Sequence, residues 1–345
     1  MTGAQGIDHH EPATRPSRVG PHQSARRLLW PLAALVALLL FDLLFIPNFF
    51  RVGVAEGRLT GTLVEIFRWS GPQTLLAVGM TIVLATGGVD LSVGAVMALA
   101  GVTMAELVTG FHWTSWAAVL VGLGLSAAAG AWNGALVTLL DIQPIVATLV
   151  LMVGGRGVAE RIGGAAHVNL SGPIAEIFGG TAMGVPTQGL VALGVLGLAV
   201  VFTRLTWTGL LIEATGGNPT ASRYAGVNVK LVTFLAYMFC GLCAGLAGLL
   251  KTADLHGADA SQLGLYWELD AILAAVIGGT ALTGGRFSLL GAFLGAVLMV
   301  TLTTTIQSKV PVEYALIAKA IVVVAVCLLQ SEAFRGRVLR VQAPI

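Results

Sequence analysis

The chain has 345 residues, of which 56% are hydrophobic and 10% charged, and its mean hydropathy is +0.87. A soluble domain carries about 25% charged residues on the surface it shows to water, so 19 basic and 17 acidic side chains cannot cover a core of this size. Composition excludes a soluble enzyme and a nucleic-acid binder, and it indicates an integral membrane protein whose 45 glycines suit closely packed helices.

In chain order, residues 1–27 are polar and rich in Pro, His and Arg, and read as a disordered cytoplasmic tail. The apolar run from Leu28 to Ile46 follows Arg26 and Arg27 and lacks a small-residue cleavage site, so it reads as an uncleaved first span. Further apolar runs fall at 62–86, 91–110, 116–140, 143–162, 189–204, 231–252, 269–285, 287–307 and 312–331. The expectation is an all-α polytopic membrane protein with about ten transmembrane helices. Residues 28–331 form its membrane domain, and 332–345 form a cytoplasmic tail. An even count puts both termini on one side, and Arg26, Arg27 and the Arg335–Arg340 cluster place that side in the cytoplasm. Two connections exceed simple turns: 163–188, expected outside, and 205–229, expected inside.

Two segments echo each other. Val78 to Gly101 and Leu269 to Gly295 both run apolar helix, glycine pair, short polar step, then Gly/Ala-rich helix. Paired glycine-interrupted segments in two halves of a transporter point toward the substrate path, although glycine also serves packing alone.

The polar residues set in apolar surroundings are few. In Gly87–Gly94, Asp90 and Ser92 either line a pathway or satisfy backbone amides at a helix start. Trp132-Asn133 and Gln143-Pro144, with Thr148 beyond, offer neutral hydrogen bonding suited to an uncharged hydroxyl-rich ligand. Asn133 equally suits a bond to a neighbouring helix. Glu268 and Asp270 stand at the expected outer entrance of a span, where they either guard the mouth or complement the helix dipole. Arg156 and Glu160, four residues apart, are expected to pair. Lys319 sits mid-span and needs a partner.

Residues Cys240 and Cys243 form a C-x-x-C inside membrane helix, which argues against a metal or redox site. Gly245 to Thr252 resembles a phosphate loop, but Leu250 stands where glycine is required. No nucleophile, base and metal constellation is legible, so an enzyme is disfavoured. Energy for transport must come from an ion gradient or another subunit. An ion-coupled carrier would have only Asp90, Asp141 and Lys319 as relay candidates.

Gly87–Gly94, Glu213–Gly226 and Glu268–Gly285 together resemble the permease subunits of ribose-type ABC sugar importers, over about 60–330 of the chain. Lys251–Asp259 followed by Trp267–Ile272 is similar to the galactofuranose branch. The resemblance implies a non-enzymatic, multi-pass inner-membrane chain that binds no cofactor itself. It also implies a cytoplasmic ABC ATPase that uses ATP, a second permease chain, identical or homologous, and a periplasmic sugar-binding protein. Asp90, Ser92, Asn133, Gln143, Thr148, Glu268 and Asp270 are the expected substrate pathway. Within 205–229, Glu213, Ala214, Gly216, Asn218, Ala221, Ala225 and Gly226 match the family's coupling loop. Ala214, Gly217, Ala221 and Ala225 recur at helical spacing and would give a shallow stripe for the ATPase.

Overall fold

The computed structural model describes residues 21–55, 57–164, 167–311, 314, 317–321 and 324. Helix α1 (Pro21–Phe45) leads into a hairpin of β1 (Gly53–Ala55) and β2 (Arg58–Thr60). Four helices follow: α2 (Thr62–Ala85), α3 (Val93–Thr109), α4 (Ser115–Thr138) and α5 (Pro144–Gly163). The next connection holds β3 (Val168–Asn169), α6 (Pro173–Gly179) and a hairpin of β4 (Thr181–Ala182) with β5 (Val185–Pro186). Then come α7 (Thr187–Leu205), α8 (Thr208–Gly217), α9 (Pro219–Tyr224) and α10 (Val229–Asp254). The chain continues through β6 (Gly257–Ala258), which pairs antiparallel with β3, to α11 (Trp267–Ile277) and α12 (Leu289–Lys309).

Helix α2 is the centre of the bundle: every residue from Ser70 to Ala85 is buried, and α7, α10, α11 and α12 pack around it. Helices α4 and α10 approach through glycine. A Cβ on Gly241 would lie 2.4 Å from the Ser126 carbonyl oxygen and 2.9 Å from the Gly130 Cα, so only hydrogen fits at that crossing.

Among the described residues, five segments are long and apolar enough to cross a membrane: Leu28–Phe45, Ser115–Thr138, Thr187–Leu205, Val229–Asp254 and Leu289–Lys309. Val93–Thr109 is a shorter apolar helix. The polar first half of α2, with Arg68, Ser70, Gln73 and Thr74, lowers its hydropathy even though it is the most enclosed helix. Residues 21–27, expected as tail, are the first turns of α1. Residues 1–20, 325–345 and most of the expected span at 312–331 lie outside the described residues.

The expected span at 269–285 is corrected. Helix α11 has 11 residues, a rise of about 16 Å, roughly half the ~30 Å of a hydrocarbon core. Positive φ angles at Gly264 (70°) and Tyr266 (65°) break the chain before it, and those at Gly279 (91°), Gly284 (84°) and Gly285 (76°) turn it afterwards. Its start lies inside the bundle. Gly264 and Gly94 are both buried, and a Cβ on Gly94 would stand 2.3 Å from the Gly264 carbonyl oxygen. The N-termini of α3 and α11 therefore meet in the interior, and the segment 255–266 that leads there is buried at Gly257, Ala258, Ala260, Leu263 and Gly264.

The Gly285 N–H donates to the Ala85 carbonyl at 2.9 Å, which brings the turn after α11 against the end of α2.

Candidate functional site

Asp90, Ser92 and Asn133 come together, each at most 1% exposed. The Asp90 Oδ1 accepts from the Ser92 amide at 2.9 Å and from its hydroxyl at 2.6 Å. From α4, the Asn133 Nδ2 donates to the Ser92 Oγ at 2.8 Å and to the Asp90 Oδ1 at 3.3 Å. The Tyr237 hydroxyl donates to the Val89 carbonyl at 3.3 Å. The Thr148 hydroxyl bonds the Pro144 carbonyl at 3.0 Å and reaches Val89 at 3.5 Å. The Gly87–Gly94 turn is thus tied to α4, α5 and α10 at once. Gln143 stays apart, exposed at the start of α5.

A second polar region forms around the start of α11. Glu268 is 8% exposed, and a Cβ on Gly94 would lie 2.5 Å from its Oε2. Glu268 and Asp270 both stand in the first turn of α11, Glu268 buried and Asp270 partly buried. Arg156 does not pair with Glu160. Its Nη1 instead donates to the carbonyls of Ala260 at 2.9 Å and Leu263 at 2.6 Å. Those carbonyls belong to irregular backbone with no ladder partner, so a guanidinium that satisfies two of them outcompetes a helical-neighbour carboxylate. Asp270 pairs with Lys319 at 2.6 Å, which supplies the partner the sequence did not name.

Between α2, α11, α12 and the residues Lys319, Ala320 and Val324 lies a cavity of about 750 Å³. Trp69 and Gln73 from α2, Trp267 and Asp270 from α11, Thr303 from α12, and Lys319 contribute to its wall. Trp69 and Gln73 are one helical turn apart and face the same way. The Gln73 side chain is 3% exposed, and its Nε2 has no hydrogen-bond partner among the described residues. Of the residues expected along a pathway, Asp270 lines this cavity.

Two enclosed acids escape sequence reading. Asp42 in α1 is fully buried and bonded to the Thr305 hydroxyl at 2.8 and 3.0 Å; a lone acid in the first apolar run is the available signal. Asp254 at the end of α10 lies 3.2 Å from the Lys251 Nζ, 3.7 Å from the Arg68 Nη1 and 3.4 Å from the Gln188 Nε2.

At the opposite end of α10, the segment 205–229 folds as two short helices and not one. Asn218 breaks them: it ends α8, and its Oδ1 caps α9 by accepting from the Ala221 amide at 2.9 Å, with Pro219 in the first turn. Ala214, Gly217, Ala221 and Ala225 still share one surface, a shallow depression of about 370 Å³ also lined by Asn218 and Ser222. Gly216 faces the other way. A Cβ there would lie 1.9 Å from the Ala85 carbonyl oxygen and 2.6 Å from the Gly285 amide nitrogen. Glu213 and Gly226 are exposed, the latter with φ of 86°.

The chain is 46% identical over 317 residues to the galactofuranose transporter permease protein YtfT of Escherichia coli (strain K12), covering 90% of this chain and 92% of that protein. It is 36% identical to the fructose import permease protein FruF of Bifidobacterium longum (88% and 87% covered) and to the ribose import permease protein RbsC of Escherichia coli (strain K12) (87% and 92% covered). No solved structure matches the chain. With residues 62–327 matching its model, the chain belongs to the family described as the permease component of branched-chain amino acid transport systems.

Proposed function

We propose that this chain is the membrane permease subunit of an ABC importer carrying a monosaccharide, galactofuranose or a ribose-like sugar, into the cytoplasm. The observation that carries the reading is the match along nine tenths of the chain to a galactofuranose permease, with fructose and ribose permeases beside it. These relatives favour it over an ion-coupled carrier. ATP is bound and hydrolysed on a partner ATPase, and this chain contributes no catalytic residue. A second permease chain and a periplasmic sugar-binding protein complete the assembly in the inner membrane, with both termini of this chain cytoplasmic.

Segment 205–229 is the coupling element in this reading. Its exposed side carries a depression lined by Ala214, Gly217, Asn218, Ala221, Ser222, Ala225 and Val227, which suits a convex element of an ATPase. Its inner side meets α2 and the turn after α11 through backbone. Gly217→Arg tests the assignment. A Cβ at Gly217 comes no closer than 3.8 Å to the Gly285 Cα, so the arginine is accommodated by the permease itself and projects at the partner. The expected outcome is normal insertion, loss of the ATPase on purification, and no ATP-driven uptake in proteoliposomes. Retention of a stoichiometric ATPase with normal uptake would remove 205–229 as the docking element.

A further inference from the structure

We infer that the cavity beside the start of α11 is an intramembrane subsite for a neutral monosaccharide, with Gln73 and Thr303 as its hydrogen-bonding residues. The inference rests on the importer reading and adds the place on this chain where sugar is held.

Three observations converge on it. The cavity's volume of about 750 Å³ lies within the roughly 300–1,000 Å³ of small-molecule sites. Its wall pairs indole surfaces, Trp69 and Trp267, with neutral hydrogen-bonding groups, Gln73 and Thr303. That combination fits a pyranose or furanose ring, which has apolar C–H patches and a hydroxyl rim. Finally, the Gln73 Nε2 is a buried donor without a partner among the described residues. Such a group costs about 1–3 kcal/mol in a folded protein and calls for an explanation. A passing sugar hydroxyl is an acceptor of the right chemistry.

The charges on the wall do not contradict this class. Lys251 also lines it, with its Nζ 5.8 Å over the Trp69 ring and 3.2 Å from Asp254, and Asp270 pairs with Lys319 at 2.6 Å, so each wall charge has an opposite partner. The hydroxyl of Thr303 is bonded within its own helix, to the Met299 carbonyl at 2.9 Å. With its proton so engaged, the oxygen keeps acceptor capacity, complementary to the amide donor of Gln73.

The test uses the whole assembly, with this chain, its permease partner and its ATPase in proteoliposomes. Its binding protein is loaded in turn with radiolabelled D-galactose, D-ribose and D-fructose. Gln73→Leu and Thr303→Val are each expected to lower the initial uptake rate about tenfold, the size of one lost hydrogen bond, with the ATPase still bound. Thr303→Trp, which fills the cavity, is expected to abolish uptake. If Gln73→Leu does not assemble, Thr303→Val and Thr303→Trp decide the matter. Wild-type rates in assembled Thr303→Trp would overturn the subsite while leaving the importer reading intact. Absence of ATP-driven uptake of all three sugars by the unmodified complex would instead overturn the importer reading, and the subsite with it.

Discussion

The two interior polar regions are built on opposite principles. Around Asp90, the carboxylate is met by an amide, a hydroxyl and a carboxamide drawn from its own turn and α4. Only the Asn133 Oδ1 is left over. Around α11, by contrast, one ion pair closes on itself while Gln73 carries an idle donor at a cavity wall. Nearly saturated networks hold a fold in one arrangement, whereas an unsatisfied group beside open space reserves bonding capacity for something that arrives later. The Asp90 cluster, the sharper motif in the sequence, has the geometry of a lock between helices. The quieter Gln73 region has the geometry of a contact surface.

Stability measurements on the detergent-solubilised complex can break this comparison. The largest effect is expected from Lys319→Met, which leaves the Asp270 carboxylate largely enclosed without its cation. The loss should be on the order of 2–3 kcal/mol, and adding Asp270→Leu should recover most of it. Equal destabilisation of the single and double variants would mean that the pair does not act as a unit. Next comes Asn133→Leu, which strips Asp90 and Ser92 of a shared donor and should lower stability by about 2 kcal/mol. An unchanged melting temperature would dissolve the contrast between the two regions. The smallest effect belongs to Gln73→Leu. Removing a donor that bonds nothing should leave stability within about 0.5 kcal/mol of wild type or raise it. A loss as large as that of Asn133→Leu would show that Gln73 belongs to the packing.

Much of this architecture is legible in the sequence. Glycine pairs beside an acid mark the Asp90 turn, and small residues at helical spacing mark the depression at Ala214–Ala225. Two kinds of feature are not legible. Half-helix α11 reads as a full span because Ala271–Leu282 is nearly continuously apolar, and apolar content does not record depth. The preceding break depends on Tyr266 adopting a left-handed φ that its residue type does not advertise. Partners distant along the chain are the other kind. Asp270 meets Lys319, and Arg156 abandons Glu160 for carbonyls at Ala260 and Leu263, because tertiary contacts outrank spacing on one helix. Gln73 escapes notice for a simpler reason. A single amide in a polar half-turn of α2 has no pattern to announce it.

The short length of α11 also bears on how the chain is made. A segment entering a bilayer by itself must remove its whole backbone from water, and 11 residues cover about half of that distance. Helix α11 and the irregular 255–266 before it cannot partition into lipid as an independent unit during synthesis. They must be laid into a groove that α2, α3, α5 and α10 have already formed, and then covered by α12. This one segment of the chain thus enters by docking onto protein, although α10 before it and α12 after it are each long and apolar enough to cross a membrane.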